Sequence, residues 1–109
     1  MLKIVDVILG LIEKVKPLVE EIEQHDRSLG DQLRRSMSSV SLNTGEGGEF
    51  YGKKKMYQFT VALGSARESF IALRTAAAWG HIGPLPPDVV ADFNQVIGTL
   101  VNLVGRNKK

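Results

Sequence analysis

"KKKMYQFTVALGSARESFIALRTAAAW", residues 53–79, is the stretch on which the fold class turns. Met56, Phe59, Leu63, Ala66, Phe70, Leu73 and Ala77 recur in it at alternating steps of three and four. That spacing puts all seven on one face of an α-helix, as a seam against a partner helix. The predicted helix runs from about Lys53 to Trp79, and at about 1.5 Å per residue it spans roughly 40 Å. "GHIGPLPPD" then stops it, since two glycines and three prolines cannot continue a helix.

Working outward, three more helices follow from the same periodicity. Ile4, Ile8, Leu11, Val15, Leu18 and Ile22 form a seam in the first segment, with Val5, Leu9, Ile12 and Val19 as a second stripe beside it. Pro17 falls inside this pattern and is expected to bend or interrupt it. Asp26 or Ser28 is placed to cap the next helix, whose inward stripe is Leu29, Leu33, Met37, Val40 and Thr44. After the prolines, Pro87 suits a first helical turn and Asp88 the positive helix end. Val89, Phe93, Val96, Leu100 and Leu103 make the last seam, widened by Val90, Ile97, Val101 and Val104. No alternating β-type run and no repeat interrupts this series. The expected fold is all-α: one domain over residues 1–109, an antiparallel up-down four-helix bundle with helices at about 2–24, 27–47, 53–79 and 87–106. The doubled stripes of the first and last helices exceed what one small bundle buries, which predicts an oligomer.

"GGEFYGKKKM", residues 47–56, nearly spells the phosphate loop G-x-x-x-x-G-K-[ST]. Such a loop needs a strand before it, and a Ser or Thr hydroxyl for the metal. Here a helix precedes, Lys54 stands in the hydroxyl position, and Glu46 and Glu49 repel phosphate. The glycines read instead as the break between the second and third helices, near residue 47. Lys53, Lys54 and Lys55 then sit at a helix start, where the dipole disfavours cations, so they gain nothing locally.

There is no cysteine, which excludes disulfides and thiolate metal sites and fits a reducing, cytoplasmic setting. The short apolar start, broken by Asp6 and Glu13, reads as neither a secretory signal nor a membrane span. The net charge of +2 hides an asymmetry. Residues 1–26 hold three lysines and six carboxylates, whereas residues 27–109 hold eleven Lys/Arg and six carboxylates. A basic body of this kind admits a nucleic-acid partner. His25 and His81 stand apart near helix ends as turn or capping residues, Trp79 is placed to plug the bundle end, and "RNKK" is a basic tail. No nucleophile–base pair, metal cluster or phosphate loop is present, so neither catalysis nor a cofactor is expected.

Two stretches, "GDQLRRSMSSVSLNTGEG" (30–47) and "KKKMYQFTVALGSARESFIALRTAAAWGHI" (53–82), resemble the four-helix-bundle family of 23S rRNA intervening-sequence proteins. That family also includes proteins similar to the accessory variability determinants of diversity-generating retroelements. The matching residues are Gln32-Leu33-Arg34-Arg35, Asn43, Glu46-Gly47, Phe59, Ala62-Leu63-Gly64-Ser65, Glu68 and Gly80-His81-Ile82, about half the chain. Ser41 stands where the family usually has proline, and Thr44-Gly45 where it has a hydrophobic-alanine pair. The resemblance implies a ring-shaped homopentamer without catalysis, with basic surfaces for RNA or DNA. For the retroelement members it also implies a reverse-transcriptase partner.

Two groups of residues are singled out. Lys53, Thr60, Arg67 and Arg74 recur every seven residues, a stripe at about 10 Å intervals. With Lys54, Lys55, Arg34 and Tyr57 they form the candidate nucleic-acid surface, the cations for phosphates and the phenol ring for a base. Gln32, Arg35, Ser39, Asn43 and Glu46 share one face of the second helix, and folding the hairpin predicts Arg35 against Glu68 and Glu46 against Lys53–Lys55. Small residues at Ser38, Ser41 and Gly45, and at Ala62, Gly64, Ser65 and Ala66, mark candidate packing or subunit-contact patches. The expected function is a non-enzymatic, homo-oligomeric accessory protein that binds nucleic acid. The alternative is a structural module that binds protein alone.

Overall fold

The structure, a computed structural model, describes residues 2–107. It holds four α-helices: α1 (Lys3–Glu23), α2 (Arg27–Glu49), α3 (Gly52–Trp79) and α4 (Pro87–Asn107), with no strand among the described residues. They form a rod of 43 × 25 × 20 Å. Each helix packs on two others, α1 and α3 each lying against α2 and α4, so α1 and α3 occupy opposite corners. The seams read from the sequence supply the core. Ile8, Leu11, Ile22, Leu33, Phe59, Leu73, Phe93 and Leu100 are all fully buried, and the Phe70 ring stacks on Phe93 at 5.0 Å.

The helix ends have local causes. Asp26 caps α2 by accepting a hydrogen bond from the Leu29 N–H at 3.0 Å. Gly80 ends α3 with φ 80°, while its own N–H and that of His81 bond back to the carbonyls of Ala77 and Ala76. This left-handed stop is one that glycine alone adopts without strain. Pro17 does not interrupt α1. It is exposed, so the carbonyl its missing N–H leaves free can be hydrated.

Three expectations fail. The glycines at 45, 47 and 48 do not end α2, which runs on to Glu49; the corner is Phe50 and Tyr51 in extended conformation, then Gly52 with φ 61°. Trp79 does not plug the bundle end. It is 75% exposed, and the neighbouring loop buries Ile82 in its place. The apolar surplus assigned to α1 and α4 is largely absorbed inside one chain. Of its members only Leu9 and Val101 are exposed, whereas Leu42, Tyr57 and Ile71 face solvent on α2 and α3.

Gly47 has a packing role instead. A β-carbon there would lie 2.5 Å from the Phe59 ring, so the glycine is the space into which that fully buried ring fits. Farther along the α2–α3 seam the serines do similar work. The hydroxyls of Ser36 and Ser69 lie 2.7 Å apart and those of Ser39 and Ser65 2.8 Å apart, with the Ser65 carbonyl accepting from Ser69 at 2.8 Å. Residues rising in number on α2 therefore meet residues falling in number on α3. The close-packed small residues are Ser36, Ser39 and Gly47, not the patch at Ser38, Ser41 and Gly45. By contrast, Gly64 is exposed and a β-carbon on it would meet nothing.

Urea melts should separate the two glycines. Gly64→Ala should raise stability by about 0.5–1 kcal/mol, the usual helix preference. Gly47→Ala should lower it by about 1–3 kcal/mol, because Phe59 has to leave its slot.

Candidate nucleic-acid interface

Helix α3 carries Lys53, Lys54, Lys55, Arg67 and Arg74 against one carboxylate, Glu68. The ion pairs among the described residues join Lys14 to Asp88 and Asp92, and Arg34 to Glu23. None of the five α3 cations forms an ion pair with a carboxylate among the described residues. Lys53, Arg67 and Arg74 are exposed along one flank of the helix, spread over about 30 Å. Tyr57 and Ile71, 63% and 61% exposed, lie beside this row with Gly64 midway between them. At the start of α3 the three lysines add to the positive end of the helix dipole, so one end of the row is its strongest anion attractor.

The lysines do not all point along the row. Lys54 places its ammonium 5.5 Å from the centre of the Phe50 ring, and Lys55, half-buried, stands 6.0 Å from that of Phe59. The Arg74 guanidinium lies 5.8 Å from the Phe70 ring. Contacts of this kind are worth about 0.5–1 kcal/mol at exposed sites. They hold long side chains in place without cancelling their charge.

Arg34 departs from its expected role. Its Nε and Nη2 donate to the Glu23 carboxylate at 2.9 and 2.8 Å, a two-pronged pair clamping α2 to α1. Gly30 makes this possible, since a β-carbon there would collide with the Glu23 side chain that crosses it. The sequence hides this pair because Glu23 and Arg34 lie eleven residues apart, on different helices.

The hairpin polar face is also rearranged. Glu68 accepts a hydrogen bond from Gln32 at 3.4 Å rather than an ion pair from Arg35. Asn43 donates within its own helix, to the Ser39 carbonyl at 2.9 Å and hydroxyl at 3.0 Å. Arg35 and Glu46 are exposed and enter no ion pair among the described residues, Lys53–Lys55 included. The serine pairs cross the hairpin beside the Gln32–Glu68 bond. Their signal in the sequence was helical spacing on both sides, three residues from Ser36 to Ser39 and four from Ser65 to Ser69.

His25 and His81 are not isolated. Their rings stack at 5.3 Å and within 5° of parallel, tying the turn after α1 to the loop after α3. Among the described residues no group of three or more His, Cys, Asp or Glu could hold a metal ion, and no helix is long and apolar enough to cross a membrane. A groove of about 250 Å³ runs between α1 and α2, floored by Val15, Val19, Leu33 and Met37. The end of the basic tail, Lys108 and Lys109, lies outside the described residues.

The molecule is thus a four-helix bundle with one helix face left strongly cationic. The chain matches no family model, no curated protein and no solved structure.

The two clamps titrate at opposite ends of the pH scale. Hydrogen bonds from Arg34 hold the Glu23 carboxyl below its ordinary range. Its contribution is therefore complete above the unfolded value and is lost as pH falls through the depressed one. The hydrogen bond to Asp92 raises Lys14, whose contribution is complete below the unfolded value and is lost as pH rises through the raised one. Arg34→Ala should lower the urea midpoint at neutral pH, and the gap to wild type should close in acid. The gap produced by Lys14→Ala should close in strong alkali. Gaps independent of pH would contradict both assignments.

Proposed function

We propose that this chain is a non-catalytic, self-associating accessory protein, an antiparallel up-down four-helix bundle that takes up the backbone of RNA or DNA on the outer face of α3. The observation that carries this reading is the set of five cations on α3 without a carboxylate partner among the described residues. Two cations elsewhere, Lys14 and Arg34, join helices. A row spared that use keeps its charge for an outside anion, and a polyanion gains most because each contact releases counterions.

The row suits an extended backbone better than a small anion. Its side chains are spread along the helix rather than gathered into a pocket, and Tyr57 offers an exposed ring for stacking, worth about 1–3 kcal/mol per base. Arg34 is removed from the binding set, being held by Glu23. The resemblance to the 23S rRNA intervening-sequence family supports the same reading. It adds the homopentamer, the cytoplasmic setting and, on the retroelement branch, docking to a reverse transcriptase. The exposure of Leu42 and Ile71 favours the second reading, a module that binds protein alone, because neither side chain has a use against phosphate.

Mobility-shift titration with random single-stranded RNA distinguishes the two. Each phosphate neutralised should contribute about 0.7 to the slope of log K against log[salt]. The triple variant K53A/R67A/R74A should lower that slope by about 2 and weaken binding to every sequence alike. Binding insensitive to salt, or an unaffected triple variant, would refute the nucleic-acid reading.

A further inference from the structure

Asp6, Glu13 and Glu20 stand seven residues apart on α1, all exposed, and none enters an ion pair among the described residues. Lys53, Arg67 and Arg74 keep the same seven-residue frame on α3 with the sign reversed, Thr60 standing at the one uncharged step. Asp6 to Glu20 and Lys53 to Arg67 both span fourteen residues, about 21 Å along a helix. On a straight helix a seven-residue row drifts by about 20° per step, so both rows wind the same way and can follow one another through a left-handed crossing. Each also has apolar company: Leu9, 45% exposed, on α1, and Tyr57 and Ile71 on α3.

The two rows cannot meet within one chain, because α1 and α3 occupy opposite corners of the bundle. We infer that the acidic row of α1 docks on the basic row of α3 of a second copy. Each copy then offers one acidic face and one basic face on opposite sides. The contact is head-to-tail, and such contacts close into rings or grow as filaments according to the rotation between copies. Charge complementarity of this kind sets register and steers encounter, while the exposed apolar side chains beside it supply buried area. The inference rests on the proposed function in taking the α3 cations as free for an outside anion. It adds that a second copy and a nucleic acid compete for them, so assembly withdraws the nucleic-acid face.

Charge reversal tests this. By light scattering the wild-type chain should assemble at about 0.1 M NaCl and dissociate at about 1 M, where the screening length falls from roughly 10 to 3 Å. The variants D6K/E13K/E20K and K53E/R67E/R74E change only exposed positions, and circular dichroism would verify that both remain helical. Each alone should have the mass of a single chain. An equimolar mixture of the two should reassociate, and so should the chain carrying all six changes. A wild-type monomer at both salt concentrations, or triple variants that keep the wild-type mass, would overturn the inference. Random RNA separates it from the functional reading. K53E/R67E/R74E should assemble with neither itself nor RNA, and D6K/E13K/E20K should bind RNA more tightly than wild type. Normal assembly with no RNA binding by any of these proteins would sink the functional reading alone.

Discussion

The Phe59 ring occupies a space that exists because residue 47 has no side chain. That contact sets how closely α2 and α3 approach near their shared corner, and the hydroxyl pairs Ser36–Ser69 and Ser39–Ser65 continue the close approach along the seam. Small polar side chains serve here because each hydroxyl finds a partner across the interface, so burial leaves none of these four groups unpaired. Once this seam is formed, the rotation of α3 about its own axis is settled. Leu63, Ala66 and Leu73 turn inward, and Lys53, Arg67 and Arg74 turn out.

Charge then follows architecture. Cations close to a carboxylate of a neighbouring helix become clamps: Lys14 holds α1 to α4 and Arg34 holds α1 to α2. Among the described residues no carboxylate pairs with the row on α3, and the one carboxylate that helix carries is turned toward Gln32. The outer corner of α3 remains positive and that of α1 remains negative. A bundle polarised across its width in this way has a use for each face only outside the single chain, in a polyanion or in another copy of itself.

The four helices were legible because their seams are long and regular, and α3 and α4 begin and end within a residue or so of the sequence reading. The errors share a cause. Glycines were read as helix breakers because that is their local preference, yet Gly47 is kept for a ring that arrives from twelve residues away. Arg35 was matched to Glu68 by counting along a folded hairpin, which fixes height along the axis but not which of several neighbouring side chains faces across. Gln32 faces across instead. Trp79 was placed in the end of the bundle by its size, whereas Gly80 ends the helix with that ring outside and the loop carries Ile82 inward.

What the sequence determined by itself was the number of helices, the residues of the core and the seven-residue row of Lys53, Thr60, Arg67 and Arg74, because each is written in a period that one helix imposes. Tertiary structure alone decided which charges are spent as clamps and which stay free, and where the small residues bring two helices together. Those outcomes depend on the rotation of each helix against its neighbours. That rotation is a compromise among side chains far apart in the chain, and no local period records it.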